Sequence, residues 1–199
     1  MKLILALIVL VSSLVASAQS RIVSIDAFDM SYTGGLLVKS DNVRRGDDRD
    51  EMTFRFNLNY AQALPQYEGL MWKAQAYFNR TDVDQGSADE LDSRFGAAGG
   101  LIYNFQPADI KNSFLASALF GLERQTVEVQ GADDESGFNI FFLFEGGKRW
   151  DMGEYAKMNI SYAPTVAFQW KRYGGDIRDE FYKSGTELRF NFLKFDILF

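Results

Sequence analysis

The chain has no cysteine and no histidine. No disulfide can brace it, and thiolate nucleophiles, imidazole bases and imidazole metal ligands are all excluded. Proline is scarce, with three in 199 residues, so few positions are barred from donating to a hydrogen-bonded ladder. Long hydrophobic runs are also missing: beyond the first twenty residues no stretch resembles a membrane helix, which needs about 20 apolar residues. Positive charge is in the minority, 21 Lys+Arg against 27 Asp+Glu for a net of -6, and nucleic acid requires the opposite. What the chain does have is rings: 18 Phe, 9 Tyr and 3 Trp. Yet its mean hydropathy is only -0.17. Many aromatics in a chain of polar average point to strands with one apolar face and one wet face.

The opening MKLILALIVLVSSLVASAQS reads as a secretory signal peptide. Lys2 is the positive end, Leu3 to Val11 the apolar core, and Ala16-Ser17-Ala18 the cleavage site, with the cut after Ala18. The expected organisation is therefore a signal peptide at 1–18 and one domain at 19–199. No later stretch can span a membrane as a helix, so a membrane location would require strands.

Within the domain, segments of alternating polarity are joined by two kinds of connection that take turns. The short ones are LPQYEG (64–69), QPADIKN (106–112) and KRWDMGE (148–154). The long, charged ones lie at 39–51, 80–94, 128–137 and 171–180. Together they join eight segments. In MTFRFNLNYAQAL, Met52, Phe54, Phe56, Leu58 and Tyr60 share one face, and Thr53, Arg55, Asn57 and Asn59 share the other. The same period of two recurs from Leu70 to Asn79 and from Met158 to Lys171, which is a strand signal. Eight antiparallel strands joined in order predict an all-β, up-and-down barrel, a closure that leaves no exposed edge.

The polar face decides which way the barrel turns. It carries Asn, Gln, Ser, Thr, Gly and Ala with isolated charges, which suits a narrow interior of eight strands. The apolar face carries almost no charge at mid-strand, as lipid demands. Aromatics gather at the strand ends: Trp72, Tyr103, Phe105, Trp150 and Tyr155 near the short connections, and Phe78, Trp170, Phe181 and Tyr182 near the long ones. These are the expected interfacial girdles. Pro164, inside the best strand, predicts a local bulge or kink. In the closing stretch ELRFNFLKFDILF, the apolar residues sit on even positions to Phe192 and on odd ones from Leu193. Both sets can face lipid only if a one-residue bulge lies near Phe192-Leu193.

With the signal peptide, eight alternating segments, unequal connections and terminal Phe199, the chain resembles the small eight-stranded outer-membrane β-barrels. These are the OmpA transmembrane domain and the OmpX and OmpW types. The resemblance covers about residues 19–199. It implies a location in the outer membrane of a Gram-negative bacterium, with both mature termini on the periplasmic side. It also implies that Phe195, Ile197 and Phe199 form the signal read by the barrel-assembly machinery. Outer-membrane lipid and lipopolysaccharide are the other expected partners, and the barrel is expected to be a monomer.

The enzymes among such barrels that come closest in size depend on a catalytic histidine, which this chain lacks. No cofactor or metal is expected. The candidate functional residues are the inward charges Arg55, Lys73, Glu123, Glu145, Lys157, Glu187 and Arg189. A turn centred near Asp151-Met152 would set Glu145 opposite Asn159 and diagonal to Lys157. Such charges either pair statically in a filled interior or gate a narrow channel for ions or small solutes, apolar ones included. Acids at Asp82, Asp84, Asp89, Glu90, Asp92, Asp133, Asp134 and Glu135 either solvate their loops or hold divalent cations against lipopolysaccharide phosphates. Arg45-Gly46-Asp47 spells an integrin-type tripeptide of little weight. The expected function is a non-enzymatic outer-membrane barrel with a structural or surface-interaction role, acting through its charged loops, with the narrow channel as the alternative.

Overall fold

A computed structural model describes residues 21–33, 51–84, 89–129, 133–175 and 184–199, with side chains except at 27–33, 51–54, 81–84, 89–90 and 129. The signal peptide, the tripeptide at 45–47, Phe181 and Tyr182 lie outside the described residues.

The alternating segments form antiparallel strands. In chain order they are β1 (Arg21–Thr33), β2 (Glu51–Ala63), β3 (Leu70–Asp84), β4 (Asp89–Asn104), β5 (Phe114–Val129), β6 (Glu135–Lys148), β7 (Trp150–Tyr155), β8 (Met158–Tyr162), β9 (Thr165–Arg172), β10 (Ser184–Asn191) and β11 (Lys194–Leu198). The eleven described strands make eight crossings, because β6/β7, β8/β9 and β10/β11 are interrupted pairs. Each crossing pairs with the next, and β1 pairs with both β10 and β11, so the sheet closes. Closure satisfies the backbone internally, the condition for strands in lipid.

The two proposed irregularities prove to be one. Pro164 has no N–H, and the ladder breaks at Ala163–Pro164 between β8 and β9. Opposite the break, Thr165 pairs with Asn191 and Tyr162 with Phe195, so three residues of the closing crossing oppose two. This is a β-bulge, and Phe192 and Leu193 both face outward there. Before it, Glu187, Arg189 and Asn191 point inward; after it, Lys194, Asp196 and Leu198 do. β1 slips in step: its register with the closing crossing is kept, while against β2 it shifts by one between Asp26 and Asp29.

The apolar face is outside. Phe56, Phe78, Phe95, Phe120, Leu122, Phe138, Phe142 and Phe144 are exposed, while Asn57, Gln75, Glu123, Asn139 and Lys171 are buried. That is the inversion of a soluble barrel and the arrangement of a transmembrane one.

The connections differ from expectation in two places. The stretch 148–154 is not a turn: β7 continues through it, and the tip lies at Ala156-Lys157, both at positive φ (52° and 67°). The expected long connection 80–94 is mostly strand, with β3 and β4 paired out to Asp84 and Asp89. The stretch 106–112 does connect two strands, as a 3₁₀ turn, Pro107–Asn112.

Candidate functional site

The site is the barrel interior, and its layers follow the inward residues of β5: Leu115, Ser117, Leu119, Glu123 and Gln125, from the short-connection end upward. They mark four environments in turn.

The lowest layer is apolar. Ile22, Ala61, Met71, Ile102, Leu115 and Leu198 pack together, and Ile110 of the 3₁₀ turn packs against them. The turn is held over the barrel end by its neighbours. Ser161 Oγ donates to the Lys111 carbonyl at 3.1 Å, the Asp151 N–H donates to Asn112 Oδ1 at 2.9 Å, and Lys111 Nζ pairs with Asp151 Oδ2 at 2.8 Å. The hydrogen bond from Lys111, with that from the Gly153 N–H, holds the Asp151 carboxyl below its ordinary range. Asp151 in turn raises Lys111. Beside this layer the buried Arg149 donates from Nε to Asp196 Oδ2 at 2.5 Å and from Nη1 to Asn104. Asn104 Nδ2 donates to the carbonyl of Gly69, whose φ of +78° suits a glycine.

Above lies a lower ionic cluster. Glu145 accepts from Lys194 Nζ at 2.6 Å, from Lys73 Nζ and from Ser117 Oγ at 2.9 Å. Asn59 Nδ2 donates to the nearby Asp26 at 3.1 Å.

A septum follows on one side of the lumen: Tyr77, Leu119, Phe141, Leu143 and Ala167. The Tyr77 and Phe141 rings meet at 5.9 Å. Glycines make room for them. A Cβ on Gly96 would come within 2.3 Å of Tyr77, and one on Gly121 within 2.3 Å of Phe141. The other side is polar, with Asn57, Asn59, Gln75, Gln169 and Arg189 buried. Arg189 donates to Gln169 Oε1 at 3.0 Å and Asn57 Oδ1 at 3.2 Å.

The upper ionic cluster is larger. Glu187 meets Arg55 Nη2 at 2.9 Å, Arg94 Nη1 at 3.1 Å and Lys171 Nζ at 2.9 Å. Lys171 also pairs with Glu123 Oε1 at 2.7 Å, and Arg94 Nη2 with Asp92 Oδ2 at 2.6 Å. Glu123 accepts from the Tyr77 hydroxyl and from Asn139 Nδ2, which ties this cluster to the septum.

Of the inward charges proposed from sequence, Arg55, Glu123 and Glu187 meet in the upper cluster, Lys73 and Glu145 in the lower, and Arg189 lies between. Lys157 is a correction: it is exposed at the β7–β8 tip, because the strand runs on past the expected turn. Glu145 accordingly pairs in register with Ser117 and Ala167, not with Asn159. Sequence reasoning missed Asp92 and Arg94 by placing them in a loop, and Arg149 by placing it in a turn; it set Lys171 both at a strand end and at the head of a long connection, and left it out of the interior charges. It missed Asp26, Lys194 and Asp196 through the slipped phase. Their signal was alternation continued into charged stretches.

The proposed girdle residues Trp72, Tyr103, Phe105, Trp150, Tyr155 and Phe78 are exposed, with Trp170 half-buried. Tyr60 touches Trp72, Tyr103 meets Phe105 edge-on, and Trp150 stacks on Tyr162. Phe195 and Ile197 face outward; Phe199 is buried, its backbone paired with Arg21.

A closed eight-stranded barrel, apolar outside and ion-paired within, defines a small transmembrane β-barrel protein. No family model matches the chain, and no curated protein matches its sequence. Its fold is similar to several solved structures. One is Neisserial surface protein A (NspA), with a TM-score of 0.56 and 14% identity over 92% of this chain and 100% of that one. Another is Ail, the attachment invasion locus protein of Yersinia pestis, in complex with the heparin analogue sucrose octasulfate. There the TM-score is 0.52 and the identity 9%, over 92% of this chain and 99% of that one. The likeness is one of fold, that of the small outer-membrane β-barrels.

Proposed function

We propose that this chain is an integral outer-membrane barrel with a structural or surface-interaction role, non-enzymatic, with both mature termini periplasmic. The observation that carries the reading is the filled interior: an apolar layer under the 3₁₀ turn, two ionic clusters and a septum of rings between them. An interior so occupied leaves the long connections as the part free to engage partners. The absence of histidine removes the usual general base, and the buried carboxylates of both clusters are committed to cations. Although Ail was crystallised with a polysulfated ligand, the described acids at Asp133 and Asp134 here would repel one. The long connections suit a cationic partner, or an anionic one bridged by divalent cations.

Conductance in planar bilayers tests this reading. The purified barrel is expected to be silent, and Glu145→Ala is expected to leave it silent. Discrete openings in the wild type, altered by Glu145→Ala, would establish the narrow channel instead.

A further inference from the structure

Three arginines stand outside the barrel on alternate crossings: Arg80 on β3, Arg124 on β5 and Arg172 on β9, all exposed. Each continues an outward apolar row. Arg80 follows Phe78, Arg124 follows Leu122, and Arg172 follows Trp170. Among the described residues, no carboxylate forms an ion pair with any of them.

They also stand at nearly one height. A line of directly paired residues starts at Ile22 and runs through Ala61, Lys73, Gly100, Leu119, Leu143, Gln169 and Glu187. It returns to β1 at Thr33, eleven residues nearer the long-connection end. A level line around the barrel therefore drops about 1.4 residues per crossing relative to the pairing. Arg124 pairs with Phe95, and Phe95 with Phe78, so Arg124 lies two residues below Arg80 in register. Arg172 pairs with Ile140, and Ile140 with Leu122, so it lies two below Arg124. Two residues per two crossings is close to level. The strand spacing sets neighbouring arginines about 10 Å apart around the wall.

The row sits on the upper edge of the apolar band. Phe95 and Phe138 flank Arg124, and both are exposed. Below Arg80 and Phe78, the small residues Ala74, Ala76, Ala97 and Gly99 adjoin one another, Ala76 facing Ala97 and Ala74 facing Gly99. They leave a shallow trough beneath the exposed rings of Phe78 and Phe95. The nearest acids along the strands, Asp82 two residues beyond Arg80 and Glu128 four beyond Arg124, both stand further toward the loops. A guanidinium fork matches phosphate oxygens bidentately, which an ammonium does not. A phosphate at this height, over a lipid-facing trough, must itself be carried by acyl chains.

We propose that Arg80, Arg124 and Arg172 form a binding site for a lipid bearing more than one phosphate, in the leaflet at the long-connection end, with an acyl chain over the Ala74–Gly99 trough. The site deepens the surface-interaction reading and rests on the barrel lying in a membrane. To test it, the mature chain is folded in phosphatidylcholine nanodiscs and titrated with diphosphorylated lipid A, phosphatidylglycerol or inorganic phosphate, and the lipid retained after washing is measured. The wild type is expected to retain lipid A at least tenfold better than phosphatidylglycerol, with 10 mM inorganic phosphate failing to displace it. The triple variant Arg80→Gln, Arg124→Gln, Arg172→Gln is expected to lose at least tenfold. Undiminished retention by that variant overturns the site. Equal retention of phosphatidylglycerol, or displacement by inorganic phosphate, overturns the ligand class. Heat-modifiable gel migration reports folding separately. A folded barrel that retains neither lipid refutes the site alone, whereas a chain soluble without detergent refutes the membrane reading beneath it.

Discussion

Glu187 and Glu145 are both carboxylates buried in the same lumen, and they are neutralised in different ways. Glu187 meets two guanidinium groups and one ammonium, and its cations lean in turn on Asp92 and Glu123. Glu145 meets two ammonium groups and a hydroxyl. Forks of fixed geometry suit a network with many members, because each can bond two acids at once. Compact ammonium groups suit a single acid held from two sides. The upper cluster is a mesh and the lower one a clasp, so removing the central acid should have different consequences.

The largest effect is expected from Glu187→Gln. It takes the shared acid from three buried cations, two of them guanidinium groups that cannot shed their charge, although Arg94 keeps Asp92 and Lys171 keeps Glu123. Breaking a buried pair costs about 3–5 kcal/mol, here toward the top of that range. Glu145→Gln strands two flexible lysines and should fall toward the bottom. Urea unfolding in lipid vesicles, followed by gel migration, measures both. Equal losses would break the comparison, because the number and kind of cations would then not matter.

A second contrast lies between the septum and the outer wall. Gly121→Val places carbon against Phe141, whose ring a Cβ alone would approach to 2.3 Å. Overpacking of this kind costs about 1–3 kcal/mol. Gly146→Ala should be nearly neutral, since a Cβ there meets nothing within 4 Å. Similar unfolding midpoints for the two variants would show that the septum yields, and that the lumen is less filled than its geometry implies.

Legibility in the sequence followed the same divide. From Phe56 to Asn59 and from Leu70 to Asn79, alternation alone placed every described side chain on its correct face, because lipid and a narrow lumen impose opposite demands on adjacent residues. Ends were less legible. Arg94 and Lys171 sit among charges that look like solvated loop, yet the strands carry them inward to Glu187. Lys157 failed for a related reason. Trp150-Asp151-Met152-Gly153 has turn-like composition, whereas the actual tip, Ala156-Lys157, takes positive φ with no glycine or asparagine to announce it. The bulge at Phe192-Leu193 was legible because its phase slip can be counted. The matching slip in β1 could not be, because it shows only in the register with β2.

The smallest expected effect concerns the ion pair outside the lumen. Lys111 and Asp151 are partly exposed and tie the 3₁₀ turn to the β7 hairpin. Asp151 titrates below its ordinary value, because Lys111 and the Gly153 N–H hydrogen-bond its charged form. A carboxylate depressed on folding contributes stability above its unfolded pKa and loses it as pH falls through the folded one. Lys111, raised by Asp151, contributes below its own unfolded pKa and loses that as pH climbs through the raised value. The tie should therefore hold between the ordinary carboxylate and ammonium values, about 3.9 and 10.4. It should weaken only outside them. Backbone amide shifts of residues 111–113 and 151–153 report it directly and should stay flat from pH 5 to pH 9, about one unit inside those limits. Asp151→Asn should move the same amides without changing the unfolding midpoint, since an exposed pair adds little to stability. A midpoint shift as large as that of Glu145→Gln would mean that the 3₁₀ turn, rather than the clasp above it, closes the lower end of the barrel.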